Sequence, residues 1–221
     1  MTSNRSLIFL VIVLIGGCTD DRQDAPPTEM PVASLTGVYS GVFPCAGCPG
    51  IPTTLWIRED GSFFIGQEYP GSDGSTATAT YSLGRWTWSL EDQALVLEGS
   101  GPRRIFTRPD ANALVMQSAS DLEHRLIRDP ARPDFSAAIR MTGAVRMSAD
   151  GVSFEECLSG IIAPIDRGGD YSRFRHQHRS AGGRGKTVFV DLEGRFSWSG
   201  DGTVRALTIE RFHTVRQDNR C

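Results

Sequence analysis

The chain has 221 residues, of which 39% are hydrophobic and 22% are charged, and its formal net charge is −3. This composition is typical of globular proteins and leaves room for one large domain or two small ones. The slightly acidic balance offers no basic footprint for nucleic acid, so we expect no nucleic-acid partner.

The first residues have the pattern of an export signal. Arg5 precedes an apolar run over residues 7–15, which Gly16-Gly17-Cys18 follows. The run is too short to cross a bilayer as a helix, which needs about 20 residues. Residues 1–17 are therefore predicted to be a lipoprotein signal peptide, because residues 14–18 resemble a lipobox.

Cys18 is the expected site of acylation in this pattern, with fatty acids such as palmitate. Two or more acyl chains attach a protein stably to a membrane, so the membrane is an expected partner. Thr19, rather than aspartate, follows the cysteine. By analogy with enterobacterial lipoproteins this favours the outer membrane, with the protein facing the periplasm. Residues 18–34 are polar and rich in proline, which predicts a flexible tether.

Export places the remaining four cysteines in an oxidising compartment. They are Cys45, Cys48, Cys157 and Cys221. Four cysteines allow three pairings. Cys45 and Cys48 are near neighbours, and Cys157 and Cys221 lie in a separate half of the chain, so the pairs Cys45–Cys48 and Cys157–Cys221 are favoured. The second bridge is expected to be the structural staple because it closes the longer loop.

Residues 35–129 show short β-prone segments separated by turn residues. The predicted strands cover residues 38–43, 53–58, 62–69, 78–90, 94–98, 103–107, 113–117 and 124–127. Such a series without a 3.6-residue pattern indicates an up-and-down antiparallel sheet or barrel. Trp56 and Phe64 are predicted core anchors, and the spacing of two places Trp86 and Trp88 on one face.

Residues 130–138 contain two prolines and charged residues, which predicts a linker. Residues 139–221 then show a second group of five strands, at 141–147, 153–157, 161–165, 187–198 and 206–215. A turn is expected inside the fourth of these, at Glu193-Gly194, and a longer loop before it. Five strands in this order fit an OB-fold-like barrel, so the expected fold class is all-β with two barrels.

Cys45 and Cys48 are the most informative pair, within the block Pro44-Cys45-Ala46-Gly47-Cys48-Pro49-Gly50. The flanking prolines argue against a thioredoxin-type redox centre, whose thiolate lies at a helix N-terminus. A structural zinc site normally needs four nitrogen or sulfur ligands, and the chain has one such pair. A disulfide that is structural or redox-sensing, a copper(I) site in the reduced state, and a purely geometric turn all stay open.

Other candidate residues carry weaker signals. His176 and His178 would share a face in an extended chain and could bind a metal, although the arginines around them favour a solvated loop. His124 and His213 stand singly, and Glu155 and Glu156 point to opposite strand faces. No nucleophile-elbow motif is present in the sequence, so we expect no catalytic residues and no enzyme activity.

Residues 37–51, with Thr54-Leu55 and Asp60-Gly61-Ser62 after them, resemble the N-terminal domain of the NlpE lipoproteins. The order of a Cys-x-x-Cys-Pro-Gly-Ile block, a strand and an aspartate-glycine hairpin carries this resemblance. Residues 154–160, 169–171, 190–195 and 207–212 are similar, more loosely, to the C-terminal domain of that family.

The resemblance implies a lipocalin-like barrel followed by an OB-fold, in an outer-membrane lipoprotein of copper resistance and envelope-stress signalling. It implies a sensor kinase as a partner, possible copper(I) binding at Cys45 and Cys48, and redox monitoring at the C-terminal bridge. The alternative is a lipocalin-like periplasmic module that binds a lipid or small apolar ligand. In that case Trp56, Trp86, Trp88 and Phe63 or Phe64 would line the barrel.

Overall fold

The structure is a computed structural model that describes residues 32–71, 76–119, 122–149, 151–181, 186–216 and 221. Within these ranges no helix is both long and apolar enough to cross a bilayer. The signal peptide, Cys18 and the tether up to residue 31 lie outside the described residues. The short helix α1 (Val32–Leu35) lies at the end of the expected tether, and Leu35 is buried in the core.

In the described part of the first half, eight antiparallel strands form a closed barrel. Their bounds are β1 (Gly37–Phe43), β2 (Ile51–Ile57), β3 (Ser62–Tyr69), β4 (Thr78–Ser89), β5 (Ala94–Gly99), β6 (Arg104–Asp110), β7 (Ala113–Met116) and β8 (His124–Arg128). Each strand pairs with the next, and β1 closes on β8 with Ser40 opposite Ile127. The predicted antiparallel barrel is confirmed, and its closure pairs the first described strand with the last.

Side chains at alternate positions fill the barrel interior, as the two-residue period of a strand requires. Trp86 and Phe63 are buried there, and Trp88 packs against the same cluster, so the shared face of the two tryptophans is confirmed. The fully enclosed members also include Leu35, Tyr39, Leu55, Leu95, Phe106, Leu114 and Leu126. This packed interior gives the ligand-binding alternative no support.

The second half is a five-stranded sheet with one helix. Its elements are β9 (Ile139–Ser148), β10 (Gly151–Glu156), β11 (Ile162–Pro164), α2 (Tyr171–Ser180), β12 (Val188–Trp198) and β13 (Val204–Val215). The strand order is β11-β10-β9-β12-β13, and a parallel bridge between Ile165 and Leu207 joins the two outer strands. This is the connectivity of the expected OB-fold-like, partly open barrel.

The helix α2 replaces the long loop that was expected between the third and fourth strands. Phe174 and His178, four residues apart, are both buried, and the Phe174 ring lies 5.6 Å from the ring of Phe212 on β13. The helical pattern was missed because its buried stripe contains a histidine and is surrounded by arginines. Packing against β13 therefore stabilises a helix whose own sequence is mostly polar.

The turn expected at Glu193-Gly194 is wrong, since β12 runs through both residues without reversing. A register shift between Glu193 and Gly194 accommodates them opposite Arg211 and Ile209. A Cβ atom at Gly194 would lie 2.8 Å from the Leu207 side chain. The glycine therefore permits close approach of two strands, which is its other common role inside a sheet.

Trp56 and Phe64 are core residues, but neither lines the barrel interior. The ligand-binding alternative placed Trp56 there, together with Phe63 or Phe64, and of these only Phe63 lies inside. Trp56 and Phe64 pair across β2 and β3 and point outward, where the second half covers them. Phe135 stacks on Phe64 with ring centroids 4.3 Å apart, and Trp198 meets the other edge of Phe64 at 5.7 Å. The residues predicted as a linker thus include a fully buried aromatic that joins both halves in one hydrophobic core.

Candidate functional site

The Cys45 and Cys48 sulfurs form a disulfide in the loop between β1 and β2, with their Cα atoms 5.6 Å apart. Both cysteines are half-buried, whereas Ala46 between them is exposed. Gly50 has φ +127°, and a side chain there would collide with Val42. The loop therefore needs this glycine for its conformation and holds the sulfurs near the surface of the barrel rim.

Two side chains with metal-binding chemistry lie at the same rim, although they are distant in sequence. Phe43, two residues before Cys45, contacts the ring of His124 edge-on at 5.0 Å. His124 begins β8 and lies directly opposite Met116 on β7. Sequence reasoning missed this neighbourhood because it depends on barrel closure, which brings the start of β8 beside the end of β1.

Within the described residues, no three histidine, cysteine, aspartate or glutamate side chains converge as a metal site. His176 and His178 do not share a face, because α2 exposes the first and buries the second. The idea that they bind a metal together is therefore wrong, and the physical reason is the helical rather than extended backbone.

An apolar patch lies on the outer surface beside this loop. Val42 on β1 is opposite Pro52 on β2, and both are exposed. Ile127 on β8 lies diagonally across from Val42 and is also exposed. We call Val42, Pro52 and Ile127 the rim patch. Exposed aliphatic side chains grouped in this way are more informative than single ones, since contiguous apolar surface marks interaction sites.

Cys157 and Cys221 form the second disulfide, with their Cα atoms 5.1 Å apart. Cys157 directly follows β10, and its backbone N–H donates to the Thr142 carbonyl on β9 at 3.0 Å. The disulfide therefore ties the residue at position 221 to the middle of the second sheet. Its loop spans 64 positions, so it constrains a large part of the unfolded chain.

The turn after Cys157 is organised by a buried carboxylate. Glu156 Oε2 accepts hydrogen bonds from the Leu158 and Ser159 backbone N–H groups, at 2.9 and 2.6 Å, and from the Ser159 hydroxyl at 2.7 Å. Burial raises the pKa of Glu156, although these hydrogen bonds lower it. The carboxylate thus holds the turn at the cost of desolvation.

This second disulfide lies at the contact between the two halves. Leu83 and Ser100 of the barrel line a cavity of about 280 Å³ together with Cys157 and Cys221. Next to it, Arg85 of β4 donates to the Ser159 carbonyl at 2.8 Å. The turn after Cys157 therefore contacts the barrel directly.

Arg58 is the main polar anchor between the halves. Its side chain is 7% exposed, and its Nη1 lies 2.9 Å from the Asp134 carboxylate. The guanidinium stacks 3.5 Å above the Trp198 ring and donates through Nη2 to the Gly202 carbonyl. A buried arginine with these partners fixes orientation strongly, because removing one partner leaves a desolvated charge.

A model of the NlpE N-terminal domain matches residues 39–124. Over 180 residues the chain is 27% identical to lipoprotein NlpE of Escherichia coli strain K12, a match that covers 77% of this chain and 72% of that protein. The crystal structure of the Cpx pathway activator NlpE from Escherichia coli is 22% identical, covers 85% of this chain and 98% of that chain, and superposes with a TM-score of 0.36.

The matched region contains the Cys45–Cys48 loop, Val42 and Pro52 of the rim patch, and most of the barrel. The family model and the sequence match to the Escherichia coli protein agree with the resemblance carried by residues 37–51. The barrel region thus matches the NlpE N-terminal domain, and the chain is similar to lipoprotein NlpE.

Proposed function

We propose that the chain is a lipoprotein of the NlpE type that reports envelope stress from the outer membrane to a sensor kinase. The match of residues 39–124 to the NlpE N-terminal domain carries this proposal. The Escherichia coli relative is described as the activator of the Cpx pathway. Neither description is that of an enzyme, and signalling by contact requires a binding surface rather than catalytic residues.

Attachment to the membrane is assigned to Cys18. The sequence from Leu14 to Cys18 supports this, since a diacylated cysteine anchors a protein durably. Substitution of Cys18→Ser should release the protein into the soluble periplasmic fraction and abolish labelling by radioactive palmitate. Retention of the label by the Cys18→Ser variant would contradict this assignment.

The rim patch is the barrel surface that we assign to the kinase contact. The outer face of β2, β3 and β4 is covered by the second half through Trp56, Phe64 and Tyr81. The β1–β8 side carries exposed Val42 and Ile127 and is free of such a cover in the described residues. A partner could therefore bury this patch without displacing the second half.

A stress-reporter assay in cells tests this surface. Val42→Asp places a charge in the patch and should reduce reporter activation roughly tenfold, because burying an unpaired charge costs on the order of 1–3 kcal/mol or more. Leu90→Asp is the matched control, since Leu90 is another exposed aliphatic residue but follows β4 at the opposite end of the barrel.

Protein levels and thermal midpoints of both variants must equal those of the wild type for the comparison to count. Equal activation by Val42→Asp and wild type would remove the rim patch from the proposal. Loss of activation by both variants would indicate a general effect of added charge.

We also propose that Cys45 and Cys48, when reduced, bind copper(I). Soft thiolates suit this ion, and the thioether of Met116 and the imidazole of His124 lie at the same rim. The half-buried position of the two cysteines leaves them accessible once reduced. The residues present therefore fit a soft monovalent ion that needs few ligands.

Competition titrations with a copper(I) chelator on the reduced protein test this second proposal. Cys45→Ser/Cys48→Ser should lose binding, whereas Cys157→Ser/Cys221→Ser should retain it. Met116→Leu and His124→Phe distinguish a two-thiolate site from one that uses the rim side chains. Equal copper affinity of the wild type and Cys45→Ser/Cys48→Ser would exclude the site.

A further inference from the structure

A cavity of about 390 Å³ lies in the second half, between the β9–β10 hairpin and the start of α2. Met147, Val152 and Ile165 form its apolar wall, and Arg167, Tyr171 and Arg175 supply its polar groups. Among the described residues that line it, none is an aspartate or glutamate. Two guanidinium groups among the described lining residues give this wall a positive potential, which favours an anion.

Arg175 has hydrogen-bonding capacity that its contacts with the described residues use only in part. It is half-buried on α2, and its Nη1 donates to the Met147 thioether at 3.2 Å. Its guanidinium also lies 5.9 Å from the centre of the Tyr171 ring. A thioether is a weak acceptor, whereas a guanidinium has five N–H donors. Most of its hydrogen-bonding capacity is therefore available to a bound group.

Arg167 is exposed, and no acceptor among the described residues lies within hydrogen-bonding distance of it. The two neighbouring carboxylates are engaged elsewhere. Asp166 accepts from the Gly168 N–H and the Thr208 hydroxyl, and Asp170 accepts from the Phe212 N–H at 2.8 Å. Neither carboxylate lines the cavity.

We infer that this cavity binds a phosphate group, held by the guanidinium groups of Arg167 and Arg175 with the Tyr171 hydroxyl as a further donor. Guanidinium groups recognise phosphate oxygens through paired, charge-assisted hydrogen bonds. The inference concerns the second half of the chain and does not depend on the signalling proposal.

The shape of the cavity bears on where the phosphate comes from. The apolar wall of Met147, Val152 and Ile165 leaves room for a carbon chain next to the phosphate. Outside the cavity, α2 exposes Arg173 and Arg179 on its solvent face. Free inorganic phosphate and an anionic lipid headgroup share the recognised chemistry, and binding to each can be measured separately.

The first measurement is calorimetric titration of the full chain with inorganic phosphate at low ionic strength. Arg175→Gln and Arg167→Gln should each weaken binding at least about tenfold, because each removes charge-assisted hydrogen bonds. Tyr171→Phe keeps the ring and should weaken binding less. Arg173→Gln is the matched control, since Arg173 lies on α2 but outside the cavity, and it should change affinity by less than about twofold.

The second measurement uses vesicles of phosphatidylcholine with and without phosphatidylglycerol. Binding to the phosphatidylglycerol vesicles that needs Arg167 and Arg175 identifies a lipid headgroup, and binding of inorganic phosphate alone identifies a free phosphate. If the protein binds neither inorganic phosphate nor the phosphatidylglycerol vesicles, the inference is overturned. An equal loss of affinity in Arg173→Gln and Arg175→Gln also overturns the inference. It would indicate that the general positive charge of the helix, and not the cavity, attracts the anion.

The NMR titration of His178 provides a further test. Phosphate binding beside Arg175 should change this titration, whereas a purely structural role of Arg175 would not make it depend on phosphate. Burial lowers the pKa of His178, and the charge of Arg175 lowers it further. A bound phosphate offsets that charge, so the His178 pKa followed by NMR should rise when phosphate is added. No change in the His178 titration at saturating phosphate would contradict binding beside Arg175.

Discussion

Phe64 of the barrel stacks on Phe135 of the connecting segment, with ring planes only 11° apart and both side chains fully buried. Phe196 and Trp198 of the second half complete the cluster around Phe64. A contact of this kind excludes water from both partners. The two halves are therefore expected to move as one rigid body and not as two domains joined by a flexible linker.

Phe135→Ala should therefore destabilise both halves together. Removing a buried phenylalanine costs about 3–5 kcal/mol in free energy of unfolding. Urea unfolding followed by tryptophan fluorescence and by far-ultraviolet circular dichroism should show one coincident, earlier transition. Leu90→Ala, at an exposed position, is the control and should leave the midpoint unchanged. Two separate transitions in the wild type would show that the halves unfold independently.

The two disulfides should contribute unequally to stability. The Cys157–Cys221 loop spans 64 positions, and breaking it should lower the free energy of unfolding by about 4 kcal/mol. The Cys45–Cys48 loop spans three positions, and its loss should cost about 2 kcal/mol at most. Urea unfolding of the two double serine variants measures both values. A larger loss in Cys45→Ser/Cys48→Ser than in Cys157→Ser/Cys221→Ser would contradict this order.

Protonation of His178 should make the protein less stable in mild acid. Burial lowers the pKa of His178 below its ordinary value of 6.5, and Arg175 lowers it further. Because the unfolded chain then binds more protons, the free energy of unfolding falls as the pH drops from about 6.5 towards the folded-state pKa. His178→Leu should flatten this dependence, whereas His176→Gln, an exposed position on the same helix, should not. Chemical denaturation at a series of pH values provides the measurement.

Glu156 should have the opposite pH dependence. Burial raises the pKa of Glu156 from 4.5, so the folded protein binds more protons than the unfolded chain above that pH. Its contribution to stability is fully present below pH 4.5 and is lost as the pH rises through the folded-state pKa. Glu156→Gln should remove this slope while it keeps an acceptor for the turn.

Glu156→Ala is the contrasting variant at this position. It leaves the Leu158 and Ser159 N–H groups without their acceptor, which should cost about 1–3 kcal/mol in free energy of unfolding. Urea unfolding at pH 5 and pH 8 separates the loss of this acceptor from the pH dependence that the Glu156 carboxyl causes. Equal stability of the Ala and Gln variants would show that the carboxylate does not hold the turn.

The packing of Trp56 and Phe64 also changes how truncations should be interpreted. A chain that ends before residue 139 would expose both side chains, which the second half now covers. Loss of signalling in such a truncation would reflect an exposed apolar face as well as a lost domain. Point substitutions in the full chain, such as Val42→Asp, are therefore the sharper test of the signalling surface.

The local sequence determined the strands and the Cys45–Cys48 loop. Alternating apolar residues and glycine turns are local signals, and they placed all eight barrel strands within a few residues of their observed bounds. The block around Cys45 and Cys48 likewise carried the family resemblance by itself. The pairing of Cys157 with Cys221 follows from their position in the same half of the chain, because no local pattern around Cys157 indicates its partner.

Tertiary structure decided which faces are covered and which residues meet. Both faces of β2 and β3 carry large apolar side chains. The two-residue period of a strand puts Phe63 and Phe64 on opposite faces, but it does not show that the second half covers the face of Phe64. The helix α2 needs Phe212 of β13 to bury its sparse apolar stripe. The cavity at Arg175 and the meeting of His124 with Phe43 depend on contacts between strands and helices far apart in sequence, which local patterns do not encode.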